Sequence, residues 1–318
     1  MSEDKHRLSG GTLIRAIGSL VSLGLLIYLI SRQGWDEILD SAAKIPVSTL
    51  FVVIGLMIVS RLAISLRWYS LLRAVDPRFP YLESLRLTLA GLFAANFLPT
   101  TVGGDVVRAA GVLRRSKNRM DAATSIAADR LVGLAGMAML IPLGLLESWE
   151  WIQLRVGSGP GFAREISIVQ FGIFAIFRSE VLQQFILRFK RGAQSLVAWI
   201  HRPGALLTAL GFTWVHQVCL FSNIWLFLKG MDDPLAWWLI AGLWSLSYFI
   251  TLMPFSIGGL GIREISITFI FQEIGGINVE TALTLAVLLR AVDILASIPG
   301  AFFLPTILST IREKEVQY

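Results

Sequence analysis

Charged residues are scarce in this sequence, and that scarcity is the first constraint on its fold. Only 16% of the 318 residues are Asp, Glu, Lys or Arg, whereas soluble domains carry about 25%. Hydrophobic residues make up 55% of the chain, and its mean hydropathy is +0.68. These values exclude an ordinary soluble protein and predict one integral membrane unit without a separate soluble domain.

Residues that carry out chemistry are also few. The single cysteine, Cys219, has no disulfide partner in the chain, and the three histidines are scattered, so no metal-ligand cluster is formed. No Walker motif, nucleophile elbow or catalytic carboxylate pair is present. We therefore expect a binding protein rather than an enzyme, with no cofactor and no metal. The net charge of +6 is expected to reflect basic cytoplasmic loops rather than a nucleic-acid partner.

Long apolar runs, in contrast, are abundant. About 20 apolar residues cross a bilayer as a helix. The first run follows basic residues, as a signal peptide would, but lacks a convincing cleavage site, so we expect an uncleaved membrane helix. The runs predict an all-α, polytopic integral membrane protein whose single transmembrane domain covers residues 1–318. The predicted spans are 13–31, 47–70, 122–146, 162–178, 204–229 and 281–309.

The distribution of lysine and arginine predicts the orientation of these spans, because cytoplasmic loops are enriched in both. The basic segments are the N-terminus, 73–86, 114–119, 178–202 and the C-terminus. We therefore predict a multi-pass protein of the inner or plasma membrane with both termini in the cytoplasm. The acidic or nearly neutral connections, predicted to be external, are 32–44, 147–155, 230–234 and 272–280.

Two further apolar segments, 84–113 and 235–272, share an unusual motif. FLPTTVGGDVVRA and LMPFSIGGLGIRE each have a proline, a Gly-Gly pair that starts four residues later, and an arginine nine residues after the proline. The predicted orientation makes each segment return to the side that it left, and the two enter from opposite sides. This arrangement predicts an inverted repeat with two re-entrant, broken-helix hairpins. Repeat 1 would cover about 82–146 and repeat 2 about 235–309.

The motif residues have a physical use at the centre of a membrane. Proline ends a helix, and the glycines permit positive φ and let another surface approach the backbone. A helix that restarts after the glycines directs free N–H groups toward a cavity, which suits an anion. Each arginine at a helix centre costs about 2.5–3.5 kcal/mol, so several such arginines predict a basic cavity. The residues predicted to bind the anion are Arg61, Arg108, Arg130, Arg263, Arg290, Gly103, Gly104, Gly258, Gly259, Asp105, Glu264 and Asp129.

Structural roles for the same residues are left open. Arg61 could pair with Asp129 simply to join two helices. Arg130 and Arg290 could be helix–helix ion pairs to Asp129 and Asp293. Asp105 and Glu264 could cap the restarted helices, and His216 could be a packing residue or a proton relay.

The strings NFLPTTVGGDVVRA, DRLVG and MPFSIGGLGIRE resemble the lysylphosphatidylglycerol synthase transmembrane family. The resemblance implies a flippase-like domain that moves polar lipids between leaflets, with Pro99–Arg108, Pro254–Glu264 and Arg130 at the lipid site. It also implies that a separate cytosolic domain performs aminoacyl transfer, and we expect that domain to be absent from a chain that ends at Tyr318.

These observations predict a flippase for an anionic phospholipid or a polyprenyl-phosphate-linked lipid, whose partner is the anionic headgroup of a membrane lipid. The main alternative is a secondary transporter of a small soluble anion. An enzyme acting on lipid phosphates and a non-transporting scaffold are further alternatives. The lipid, the direction of transport, the energy source and the oligomeric state are left open.

Overall fold

A computed structural model describes residues 35–97, 103–116, 119–147, 149, 199, 201–252, 261–305 and 307. Every regular element within these residues is helical, so the predicted all-α class is confirmed. The helices are α1 (Trp35–Ala43), α2 (Val47–Val75), α3 (Tyr81–Phe97), α4 (Gly103–Arg115), α5 (Arg119–Ala138), α6 (Ile141–Glu147), α7 (Pro203–Gly230), α8 (Trp237–Thr251), α9 (Ile262–Glu273) and α10 (Val279–Ala301).

Among the described residues, four helical stretches are long and apolar enough to cross a membrane, which confirms a polytopic membrane protein. They agree with four of the six predicted spans, and one of them joins α5 and α6. The other two predicted spans, 13–31 and 162–178, lie outside the described residues. The four stretches are Val47–Val75, Ala122–Leu146, Pro203–Gly230 and Val279–Ala301.

Helices α2 and α7 pack antiparallel and define the two ends of the bundle. At one end, Ile45, just before α2, lies against Gly230, the last residue of α7. At the other end, Arg202, just before α7, donates a hydrogen bond to the carbonyl oxygen of Ala74 in α2. We call these the Gly230 end and the Ala74 end.

The first motif lies in a hairpin formed by α3 and α4. The two helices cross closely, since a Cβ atom added at Gly104 would overlap the carbonyl oxygen of Gly91. Ser116, which follows α4, donates a hydrogen bond of 2.7 Å to Asp76, and α3 begins only five residues after Asp76. Both outer ends of this hairpin therefore lie at the Ala74 end of the bundle.

The second motif lies in a hairpin formed by α8 and α9. Leu243 in α8 packs near Gly275, which follows α9. The backbone N–H of Asn278, three residues later, donates a hydrogen bond of 2.9 Å to the carboxylate of Asp233. Asp233 lies three residues beyond the end of α7. This hairpin therefore opens at the Gly230 end, opposite to the first. The duplication itself and its boundaries stay predictions, and the turns at 98–102 and 253–260 lie outside the described residues.

The glycines of the first motif do not turn the chain, which corrects our prediction of positive φ. Gly103 and Gly104 are the first two residues of α4, and the described glycines with positive φ are Gly261 and Gly276. The helix starts at the glycine pair rather than after it. The second expected use of the glycines is observed, because α3 approaches the Gly104 backbone too closely for a side chain.

Gly104→Ala should destabilise the protein by about 1–3 kcal/mol, because the added methyl group overlaps the backbone of α3. Helix propensity alone would favour alanine by about 1 kcal/mol, so the sign of the change separates packing from propensity. Gly104→Val should be worse, since it places more atoms in the same gap. Thermal unfolding of the purified protein in detergent measures the stability of both variants.

Gly211→Ala is the control for these variants, because a Cβ atom at Gly211 meets nothing within 4 Å. Equal melting temperatures for all three variants would contradict close packing of α3 on α4.

Candidate functional site

Asp293 of α10 joins two arginines from different helices at the centre of the bundle. Its Oδ1 accepts a hydrogen bond of 2.5 Å from Arg61, and its Oδ2 accepts one of 2.6 Å from Arg263. Arg61 is the middle residue of α2, whereas Arg263 is the second residue of α9. One carboxylate therefore ties the start of a hairpin helix to two long helices. We call Arg61, Asp293 and Arg263, with the adjacent Arg290 and Glu264, the central cluster.

Glu264 has a capping role in this cluster. Its Oε2 accepts a hydrogen bond of 2.9 Å from the backbone N–H of Gly261, just before α9, which stabilises the start of that helix. Its Oε1 lies 3.7 Å from Arg290 Nη1. Arg290 therefore pairs with Glu264 and not with Asp293, whose two oxygens are already taken by other arginines.

A small cavity of about 30 Å³ lies beside the central cluster, between α2, α7, α9 and α10. A cavity of this size accommodates water molecules, and a phosphate group would require the walls to separate. Polar side chains face it from all four helices, which is unusual for the interior of a membrane bundle. They are Ser60, Arg61, His216, Asn223, Arg263 and Asp293.

Two atoms of these cavity-lining side chains are buried without a hydrogen-bond partner among the described residues: Arg61 Nε and Asn223 Oδ1. Buried polar atoms are normally paired, because leaving one unpaired costs about 1–3 kcal/mol. The amide of Asn223 can present either its oxygen or its N–H groups. The cavity wall therefore has hydrogen-bonding capacity that a polar ligand could use.

The charge of the cavity wall favours an anion. Arg61 and Arg263 share the single carboxylate of Asp293, which leaves one positive charge in excess. An uncompensated charge is costly in a low-dielectric interior. The guanidinium of Arg263 also lies 5.6 Å from the centre of the Trp244 ring, which holds it at the cavity.

A second group of ion pairs, the hairpin cluster, joins the first hairpin to α2 and α5. Asp129 is almost fully buried and accepts hydrogen bonds from Arg67 over 2.7 Å and from Arg108 over 2.9 Å. Asp105 lies 3.4 Å from Arg108 and accepts a hydrogen bond of 2.8 Å from Arg130. The hairpin cluster therefore contains three arginines and two carboxylates, as the central cluster does.

The hairpin cluster is tightly packed. The guanidinium of Arg108 lies 4.1 Å from the centre of the Trp68 ring. A Cβ atom at Gly133 would be 2.9 Å from Arg67 Nη1. Gly133 and Asp129 both belong to the DRLVG string, so this glycine leaves space for the arginine that pairs with Asp129. These contacts indicate a structural connection between helices more than an open binding site.

The structure divides the predicted site residues between the two clusters, so a single cavity with all five arginines is not observed. Arg61 and Arg263 line the cavity, and Arg290 and Glu264 lie beside them. Arg61 pairs with Asp293 rather than with Asp129. The residues in or next to the hairpin cluster are Arg108, Arg130, Asp105, Asp129, Gly103 and Gly104, whereas Gly258 and Gly259 lie outside the described residues.

Three residues of these sites were missed. Arg67 lies inside the predicted span 47–70, so the cost of a membrane arginine could have identified it. Asn223 lies inside the predicted span 204–229, where the cost of a buried polar group could have identified it. Ser60 carried no signal in the sequence, yet its Oγ lies 2.7 Å from Nδ1 of His216.

Comparison with known proteins identifies a family that covers most of the chain. A family model described as the lysylphosphatidylglycerol synthase TM region matches residues 15–300. Of the ten helices that the described residues form, it leaves out only the last residue of α10. A search of curated proteins found no match. The family match covers both hairpins and both clusters.

Proposed function

Since the chain belongs to the family of the lysylphosphatidylglycerol synthase transmembrane region, we propose that it moves an anionic lipid across the cell membrane. The cargo would be an anionic phospholipid or a polyprenyl-phosphate-linked lipid whose phosphate enters the central cavity. Both termini would lie in the cytoplasm. The protein would bind and move the lipid without altering it chemically.

The observation that carries this proposal is the excess positive charge at the centre of the bundle. Arg263 lies in the first turn of α9, and it lines the cavity together with Arg61, so an anion there would meet two guanidinium groups. Arginine also suits phosphate, because its planar fork makes two parallel hydrogen bonds. Separation of the second hairpin from α2 would open the cavity toward one side.

The surroundings of Arg61 support a lipid. Ile58 and Leu62, which flank it on α2, are 53% and 40% exposed. In a membrane bundle, exposed apolar residues of this kind face lipid tails. The headgroup site is therefore one helix away from the hydrocarbon, where the chains of a lipid could remain during transport.

A small soluble anion is the second candidate, because the walls of the cavity would have to separate less for it than for a lipid headgroup. About 30 Å³ is enough for water-sized ligands and too small for a whole headgroup. A carrier for such an anion would have no need of a lateral opening.

Reconstituted vesicles test the proposal. Wild-type protein should expose inner-leaflet fluorescent phosphatidylglycerol to a membrane-impermeant quencher, whereas protein-free vesicles should not. Mass spectrometry should recover the lipid unchanged. Uptake of radiolabelled phosphate without movement of the lipid would favour the second candidate, and movement of neither would contradict transport of these anions.

A further inference from the structure

His216 is the titratable side chain of the cavity that the proposed transport does not yet use. It lies at the middle of α7, and its Nδ1 is 2.7 Å from Oγ of Ser60. Among the described residues that line the cavity, it is the ionisable side chain that no ion pair engages. The arginines stay protonated, and Asp293 is held by two of them.

Charged groups face His216 from three neighbouring helices. Arg61 and Arg67 of α2 and Asp293 of α10 are close enough to interact with it electrostatically, and Arg263 of α9 shares its cavity. On α5, which also packs against α7, Asp129 and Arg130 are engaged in the hairpin cluster. Helix α8 carries no charged residue, and its titratable group is Tyr248.

The charge balance of the cavity links a proton to an anion. The wall already has one positive charge in excess, so a proton on His216 would raise the excess to two in a poorly solvated site. A bound group with one negative charge would cancel the first excess and make protonation less costly. By reciprocity, a protonated His216 would strengthen binding of that group by the same factor.

We propose that His216 takes up a proton when the cavity binds a singly charged phosphodiester, so that anion and proton occupy the site together. The inference rests on the proposed function, and it adds a proton as the co-substrate that is transported with the anion. The proton would come from hydronium in the surrounding water: one of its O–H bonds breaks, an N–H bond forms on the ring, and a neutral water molecule is left. The Ser60 hydroxyl can either donate to or accept from Nδ1, so it can serve both forms of the ring. A pH gradient could then drive transport.

Dimethyl phosphate is a suitable probe, because it keeps one negative charge throughout the pH range of histidine titration. Its affinity for the full chain in detergent should be about tenfold higher at about pH 5.5 than at about pH 8. In His216→Gln the affinity should be the same at both pH values. His201→Gln is the matched control, since His201 is exposed and lies outside the described cavity, and it should keep the wild-type dependence.

Calorimetry of the wild-type protein gives a second measurement that needs no variant. Heats of binding in buffers with different ionisation enthalpies should show uptake of a proton with the anion. If dimethyl phosphate bound with the same affinity at both pH values and without proton uptake, the role of His216 would be overturned and the proposed function would stay intact. Persistence of the pH dependence in His216→Gln would also overturn it. Absence of binding at both pH values, together with absence of lipid movement, would overturn the anion site itself.

Discussion

Asp129→Ala should destabilise the protein by about 3–5 kcal/mol, because it leaves two arginines without their shared carboxylate in the interior. Asp129 is 1% exposed and pairs with both Arg67 and Arg108. Arg67 would lose its ion-pair partner, and Arg108 would keep the longer contact to Asp105. The expected result is a large fall in the melting temperature or in the yield of monodisperse protein in detergent.

Asp233→Ala provides the comparison for this variant. Asp233 also makes hydrogen bonds, to the backbone and side chain of Asn278, but it does so at the surface of the Gly230 end. Its removal should cost about 1 kcal/mol. If both variants melted together near the wild-type temperature, the hairpin cluster would not be what connects α2, α4 and α5.

The long helices were predictable from the sequence because they depend on composition over many residues. The runs 47–70 and 204–229 became α2 and α7 with end points shifted by at most five residues. Loop charge, which also acts over whole segments, predicted that the two hairpins enter from opposite sides. Such features do not require knowledge of which helix packs against which.

The partners of the buried arginines were not predictable in the same way, because they depend on how each helix is rotated. Arg130 follows Asp129 directly, and adjacent residues of a helix point to different faces. They therefore bind different partners: Asp129 pairs with Arg108, whereas Arg130 pairs with Asp105. Arg67 was overlooked because it lies near the end of the predicted span, whereas the helix continues to Val75.

The start of α4 shows the same limit on a smaller scale. A Gly-Gly pair after a proline is compatible with a turn and with a helix start that another backbone approaches closely. Only the position of Gly91, 13 residues earlier in the chain than Gly104, decides between them. That contact comes from the packing of α3 on α4 and leaves no trace in the motif itself.

Arg263→Ala should reduce lipid transport by about 100-fold while the protein still folds, if the cavity binds the headgroup. Within the described part of the chain, the ion-pair partner of Arg263 is Asp293, and Arg61 would remain to pair with that carboxylate. The variant therefore leaves no unpaired acid, which separates it from Asp129→Ala. It does remove the excess positive charge, and hydrogen bonds to charged groups contribute about 1.5–3 kcal/mol each. The measurement is the rate of fluorescent phosphatidylglycerol movement in vesicles, beside the melting temperature in detergent.

Two further variants separate charge from general disturbance of the bundle. Arg61→Ala should lower transport as much as Arg263→Ala, because it leaves the same neutral pair with Asp293. Arg86→Ala should have little effect, since Arg86 is half-exposed and lies 3.7 Å from Glu83 at the surface, where an ion pair contributes at most about 1 kcal/mol. Wild-type rates in both cavity variants would mean that the phosphate crosses elsewhere, and the hairpin cluster, with its own excess of one positive charge, would then be the place to test.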